Sequence, residues 1–242
     1  MQPDIIRLTV RQLLTRGKLL VLLGLGALPP LLALLFTFSD ATVDPQEFLV
    51  GLYNSLFLTV VVPVTALVFA ASALGSEMED GTIVYLLLKP VPRWKIVVSK
   101  LLPTVAIIAV FIIAGVYATA LILDRGIDEA RVAFAFALGA VMGAAAYAAM
   151  FTFLGLITSR ALIGGLLYVF VWEGLLTQFF GGIRNLSVRE YMRGIADAFS
   201  TLPESIFSAD LSGPRALISC AVVVLLFALL SVNRLRTLNI AG

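Results

Sequence analysis

Long apolar runs separated by short charged segments set the pattern of this sequence. Five runs contain no charged residue and a sixth contains one; they are Leu19 to Ser39, Phe48 to Ser76, Leu101 to Leu123, Val132 to Ser159, Ala216 to Asn233 and, with its one charge, Ala161 to Ile183. Each run can cross about 30 Å of hydrocarbon as a helix rising about 1.5 Å per residue. Stretches such as VVVLLFALL do not alternate, which argues against a β-barrel. The pattern predicts an all-α integral membrane protein with six transmembrane helices.

The composition agrees with a membrane protein and narrows its chemistry. Hydrophobic residues make up 60% of the chain and charged residues 13%, against about a quarter charged in soluble domains. The chain has no histidine and a single cysteine, Cys220, which excludes serine–histidine hydrolysis, His-based zinc sites and an internal disulfide. We therefore expect no metal site, and because the sequence also lacks an ATPase motif we expect no enzyme. One domain covers residues 1–242, with spans near 19–39, 51–75, 101–123, 132–157, 161–181 and 215–233.

The distribution of charge gives the expected orientation. With six spans, both termini lie on one side, and the segments on that side carry eleven basic and four acidic residues, a net charge of +7. The opposite side carries six basic and ten acidic residues, a net charge of −4. Lysine and arginine are concentrated in cytoplasmic loops, so both termini are expected in the cytoplasm. The basic residues are dispersed beside membrane ends without interleaved aromatic residues, so we expect no nucleic-acid partner.

Two amphipathic segments lie outside the spans. Residues 5–18 place basic residues on one helical face and apolar residues on the other, which predicts an interfacial helix that leads into the first span. Residues 187–202 begin with Ser187 and Glu190, the S-x-x-E spacing of a capping box. This second helix is expected on the outer surface or over the exit of the bundle, and a lipid-facing structural helix is the favoured alternative. Gly139 and Gly143 form a GxxxG pattern that suits close packing within the chain or between two chains.

Glu173 is the single residue with an acidic or basic side chain deep inside an apolar run. A charge at the bilayer centre costs about 2.5–3.5 kcal/mol on insertion scales, so this carboxyl group needs a hydrogen-bond partner or a proton. One hypothesis places Glu173 on a polar cavity or a subunit interface, where it shapes the transport pathway. The other makes it a hydrogen-bonded structural residue of the bundle.

The cytoplasmic segment between the second and third spans, residues 75–100, carries the most specific pattern. Asp80, Gly81 and Thr82 can turn the chain and start a short helix, which Pro90 ends. A short helix held at the membrane surface and ringed by charge is suited to a groove on a soluble partner. A connector anchored by snorkelling basic residues is the plainer alternative.

This segment resembles the permease subunits of type-2 ABC exporters, also known as the ABC-2 type. In that family the first cytoplasmic loop looks like E-x-E-x-G-T, a double leucine, P-x-x-R and a lysine before the third span. The matching residues of this sequence are Glu77, Glu79, Gly81, Thr82, Leu86, Leu87, Pro90, Arg93 and Lys100. The resemblance extends over nearly the whole chain.

The resemblance implies a working arrangement. Residues 82–89 would be the coupling helix that transmits closure of the ATPase, the N-terminal amphipathic helix the elbow helix, and residues 187–202 the outer helix before the last span. The sequence has no GxxxxGK[ST] phosphate loop, so ATP and Mg²⁺ are expected on a separate ATP-binding subunit and no cofactor in this chain. Two copies of that subunit and a second permease, identical or homologous, would complete the transporter.

The sequence is compatible with several substrates and with more than one function. The expected substrate is a lipid, an amphiphilic peptide or a drug-like molecule. The expected location is a prokaryotic cytoplasmic membrane, where membrane lipids would surround the spans of this multi-pass protein. An ion-coupled secondary transporter that uses Glu173 is one alternative function. A membrane assembly subunit that does not transport is the other.

Overall fold

The computed structural model of the chain describes residues 3–39, 43–88, 91–123, 127–179 and 181–237. Regular structure in those residues is all helical, which confirms the predicted fold class at that level. The main helices are α1 (Pro3–Leu13), α2 (Arg16–Thr37), α3 (Pro45–Glu79), α4 (Ile83–Leu87), α5 (Arg93–Leu123), α6 (Ile127–Ile157), α7 (Ala161–Leu176), α8 (Val188–Phe199) and α9 (Gly213–Thr237). A short helix (Thr177–Phe179) and a 3-10 turn (Gly181–Leu186) connect α7 to α8.

Among the described residues, five helices are long and apolar enough to cross a membrane: α2, α3, α5, α6 from Ala130 to Ile157, and α9. They occupy five of the six apolar runs. The remaining run holds α7, whose apolar helix Ala161–Leu176 is shorter than these five. A span at 161–181 therefore stays a prediction.

Helices α3 and α6 form the centre of the bundle. In their most apolar windows, 67% and 72% of the residues are buried, against 17% in α2 and 22% in α9. The outer surfaces of α2 and α9 consist largely of leucine side chains such as Leu35 and Leu229. Because apolar surface of that extent is unstable in water, these peripheral helices require an apolar environment.

The backbone of α3 widens in its middle. Residues Tyr53–Val61 are π-helical, and the α-helix resumes at Val62, immediately before Pro63. A proline inside a regular helix removes one hydrogen bond and clashes with the carbonyl four residues earlier, here that of Thr59. The wider turn accommodates that carbonyl, and the Thr59 hydroxyl donates to the Asn54 carbonyl at 2.9 Å.

The N-terminal amphipathic segment is not one helix over residues 5–18. Helix α1 ends at Leu13, and Thr15, with extended backbone, precedes α2. The buried face of α1 consists of Ile5, Thr9 and Leu13, at the four-residue spacing of one helix face. The break allows α1 to pack against α5 and α3 while α2 follows its own direction.

Helix α8 corrects the expectation of a lipid-facing outer helix. It packs between α6 and α9, and Tyr191, Met192 and Ile195 are buried. Both glycines of the GxxxG pattern on α6 lie under Met192, so this pattern serves packing within the chain. An amphipathic pattern has the same appearance whether its apolar face meets lipid or protein, which is why the sequence favoured the wrong surface.

Candidate functional site

A buried ion pair joins the two helices that flank the loop between α3 and α5. The Lys100 ammonium of α5 donates to Glu77 Oε1 of α3 at 2.5 Å, and its side chain is only 1% exposed. It also donates to Gln12 Oε1 of α1 at 3.1 Å. Taking a lysine out of water is unfavourable unless its charge and donors are matched; Glu77 matches the charge, and the two acceptors take two of the three N–H donors. Three helices therefore meet at one cation.

A chain of hydrogen bonds extends from this ion pair to the start of α2. Gln12 Nε2 donates to the Ser76 hydroxyl at 2.6 Å, and Lys18 Nζ donates to the Ser72 hydroxyl at 2.8 Å. Lys18 also reaches the Gln12 carbonyl at 3.5 Å. We name this group the cytoplasmic cluster, after the side of the membrane predicted for the loop; it comprises Gln12, Lys18, Ser72, Ser76, Glu77 and Lys100.

The residues of the loop pattern occupy different environments. Glu77 belongs to the cytoplasmic cluster, whereas Glu79 is exposed at the end of α3. Gly81 has a φ of +67°, a left-handed conformation that glycine adopts without the steric penalty of a side chain. Thr82 precedes α4. The turn expected at residues 80–82 is therefore present.

The short helix after that turn covers Ile83–Leu87 and is shorter than the 82–89 expected. Leu86 and Leu87 lie in its last turn, whereas Pro90 lies outside the described residues. Arg93 is the first residue of α5. The side chain of Ile83 is buried in an apolar cluster with Val91, Ile96, Leu156 and Leu235. This anchor fixes one side of α4 to the bundle.

The opposite side of α4 is exposed and apolar. Tyr85 is 73% exposed and Leu88, which caps the helix, is 65% exposed. A helix that is anchored on one face and presents large apolar side chains on the other can contact a second protein without a large rearrangement.

Glu173 lies in a second polar site, at the other end of the bundle. Its carboxylate accepts hydrogen bonds from the Tyr168 hydroxyl at 3.0 Å, from the Val188 backbone N–H at 2.9 Å, and from the Ser187 hydroxyl. Glu173 is 2% exposed. Because Ser187 and Val188 begin α8, the carboxylate lies at the positive end of that helix, where an anion is stabilised.

The local backbone of α7 brings Tyr168 and Glu173 together. Residues Tyr168–Leu176 are π-helical, so side chains five residues apart lie on the same face. The Tyr147 ring of α6 meets the Tyr168 ring edge to face, with centroids 6.5 Å apart. The site therefore connects α6, α7 and α8 through one carboxylate.

Ser187 fulfils half of the expected capping box. Its hydroxyl oxygen accepts from the Glu190 backbone N–H at 3.2 Å. The Glu190 carboxylate does not complete the box and instead accepts from Arg193 at 3.0 Å.

Burial raises the pKa of the nearby Tyr191 hydroxyl, and the negative charge of Glu173 adds to the effect. Tyr191 donates to the Asn185 carbonyl at 2.8 Å, which fixes the start of α8.

The sequence indicated Glu77, Lys100 and Glu173, but not their partners. Gln12 is 88 residues from Lys100, and Ser187 is 14 residues from Glu173. A lysine at residue 18 followed by an apolar run predicts a membrane boundary, and nothing in that pattern indicates that its ammonium bonds to Ser72. The single available signal was the serine pair, Ser72 and Ser76, spaced one helical turn apart in an apolar helix.

Comparison with protein families decides the assignment. The family model described as ABC-2 family transporter protein matches residues 6–237. The chain belongs to the ABC-2 transporter family. No curated protein matches it. The chain is accordingly a multi-pass membrane protein and a permease subunit of an ABC transporter. Permeases of this family are transport components that work with an ATP-binding subunit.

Proposed function

We propose that this ABC-2 permease subunit forms the translocation pathway of an ATP-driven exporter and couples to its ATPase through α4. The family match over residues 6–237 is the observation that carries the proposal. The anchored helix Ile83–Leu87, with Tyr85 exposed on its free side, supplies the docking surface. Glu79, Gly81, Thr82 and Arg93 would position this helix and contact the ATPase around it.

The cytoplasmic cluster would transmit movement of α4 to the bundle. The ion pair between Glu77 and Lys100 fixes the end of α3 to α5, the two helices joined by the loop. A displacement of α4 would therefore move both helices together. Through Gln12 the same movement would reach α1, in the role of an elbow helix at the membrane surface.

In the complete transporter, two copies of an ATP-binding subunit would bind ATP and Mg²⁺. The second permease would be another copy of this chain or a homologue. Helix α7 would complete a six-span arrangement with both termini in the cytoplasm of a prokaryotic cell. The substrate would be a lipid, an amphiphilic peptide or a drug-like molecule, in keeping with the apolar character of the spans.

Copurification tests this proposal. The full chain, isolated in mild detergent from its native host, should retain a protein that carries a phosphate-binding loop, and the complex should hydrolyse ATP. In liposomes the complex should move an amphiphilic reporter with ATP and without an ion gradient. Transport that follows a proton gradient without ATP, and fails in Glu173→Gln, would instead establish the ion-coupled alternative. A chain that retains no ATPase and transports nothing would support an assembly subunit.

A further inference from the structure

A crevice of about 370 Å³ opens at the cytoplasmic end of the bundle, between α2, α3 and the start of α7. Its volume is within the range of sites that bind small molecules. One wall is a continuous face of α3, formed by residues at helical spacing: Val68, Ala71, Ser72, Gly75, Ser76 and Glu79. Leu162 and Ile163 of α7 form the opposite wall.

The crevice changes character along its length. From Val68 to Glu79 the α3 wall extends over eleven residues, or about 16 Å. Its deep end is apolar, with Val68 and Ala71 facing Leu162 and Ile163. Its cytoplasmic end carries hydroxyl and charged groups. That order matches a molecule with a hydrocarbon tail and a polar head that enters from the cytoplasmic leaflet.

The charged groups at the mouth favour an anionic head. Lys18 and Arg160 line the crevice together with one acid, Glu79. Arg160 is exposed at the N-terminal end of α7, and Lys18 is half-buried. Arginine and lysine are the side chains that bind phosphate groups in proteins, arginine through a bidentate fork and lysine as a point charge. The net charge of the mouth is positive.

We propose that this crevice binds one anionic amphiphile from the cytoplasmic leaflet. The phosphate of its head contacts Lys18 and Arg160, and one hydrocarbon chain lies along Val68, Leu162 and Ile163. Binding is a property of this chain alone. The further statement that the bound molecule represents the transported substrate class rests on the proposed function.

The crevice is connected to the cytoplasmic cluster. Lys18 bonds to Ser72, which lines the crevice, and reaches the Gln12 carbonyl. The Gln12 side chain in turn accepts from Lys100. A head group that attracts the Lys18 ammonium therefore acts on a residue two hydrogen-bonded contacts from the Glu77–Lys100 pair. Occupancy of the crevice would be sensed where the loop helices are joined.

Binding is tested on the full chain in phosphatidylcholine nanodiscs. Short-chain phosphatidylglycerol is titrated, and the bound lipid is counted by native mass spectrometry; glycerol 3-phosphate is titrated separately as a phosphate without a tail. Wild type should bind one phosphatidylglycerol and prefer it to short-chain phosphatidylcholine. Lys18→Gln and Arg160→Gln should each lower the affinity for phosphatidylglycerol roughly fivefold, which is the contribution of one cation near an anionic lipid surface. Arg236→Gln, an exposed cation at the cytoplasmic end of α9, should not change it.

A second variant tests the tail end of the crevice. Val68→Phe narrows the apolar end of the crevice and keeps both cations. It should therefore weaken the binding of phosphatidylglycerol and leave the affinity for glycerol 3-phosphate unchanged. Equal affinity for glycerol 3-phosphate and phosphatidylglycerol would reduce the site to an anion site and overturn the proposal. The proposal would also be overturned if Arg236→Gln lost as much phosphatidylglycerol binding as Lys18→Gln and Arg160→Gln, or if wild type bound phosphatidylcholine as tightly as phosphatidylglycerol. If binding holds and no ATPase copurifies, the proposed function fails while the crevice stands.

Discussion

Lys100 and Glu77 lie 23 residues apart and form an ion pair of 2.5 Å across the base of the loop between α3 and α5, with the lysine side chain buried. Removing one partner of a buried pair leaves an uncompensated charge, which costs about 3–5 kcal/mol. Lys100→Met should therefore lower thermal stability in detergent clearly. Lys95→Met is the matched control, because the described contact of the Lys95 ammonium is with the neighbouring Trp94 ring, 5.6 Å from its centroid.

A second variant distinguishes the pair from a general effect of position 100. Glu77→Gln combined with Lys100→Met removes both charges, so it should recover most of the stability lost in the single variant. If Lys100→Met and Lys95→Met lower the melting temperature equally, the ion pair does not hold the loop helices together.

Glu173 should act as the anchor of α8. Glu173→Ala removes the acceptor of three donors and leaves the Val188 N–H and the Ser187 hydroxyl buried without it, at a cost of about 1–3 kcal/mol for each such group. Amide hydrogen exchange in residues 188–199 should accelerate. Tyr168→Phe removes one donor and should have a smaller effect, about 1 kcal/mol. Glu204→Ala, an exposed acid in the next segment, is the control.

Transport measurements separate this anchoring role from a role in the pathway. Glu173→Gln keeps the size of the side chain and one acceptor oxygen. Full transport by a normally assembled Glu173→Gln complex would count against the pathway hypothesis. Unchanged exchange in residues 188–199 of Glu173→Ala would count against the anchor.

Gly139 should tolerate no side chain at the crossing of α6 and α8. A Cβ atom there would lie 2.5 Å from the Met192 carbonyl oxygen, a backbone atom that cannot move alone. At Gly143 the added atom meets the flexible end of the Met192 side chain. Gly139→Ala should therefore destabilise the protein by about 1–3 kcal/mol, and more than Gly143→Ala. Gly24→Ala meets nothing within 4 Å and is the control; equal melting temperatures for all three would contradict this packing.

Alkaline pH should weaken the start of α8 through Tyr191. Its pKa is raised above the usual value of 10.0, so the folded protein holds the phenolic proton more tightly than the unfolded chain. This contribution is complete below pH 10 and is lost as pH rises through the folded pKa. Tyr191→Phe should therefore show a shallower loss of stability above pH 10 than wild type. Parallel curves for the two proteins would contradict the assignment.

The sequence predicted the helices because lipid-facing and core-facing spans alike appear as uninterrupted apolar runs. It also indicated Glu173, since one charge in such a run is conspicuous. The partners of Glu173 and Lys100 could not be predicted, because they come from other helices and depend on how the bundle packs. The apolar face of α8 was recognised, but its contact with Gly139 and Gly143 depends on the path of the chain between α7 and α9.

The exposed face of α4 is the proposed binding surface for an ATPase. Tyr85→Glu places a charge on that face. Because the Tyr85 side chain is 73% exposed, the bundle should keep its melting temperature in this variant. Leu186→Glu is the control, a residue 63% exposed near the opposite end of the bundle.

The decisive measurement is the amount of phosphate-loop ATPase that copurifies with each variant, together with the ATP hydrolysis of the complex. At least a tenfold loss of both is expected for Tyr85→Glu, and wild-type values are expected for Leu186→Glu. Equal recovery and equal ATP hydrolysis for both variants would contradict docking through α4.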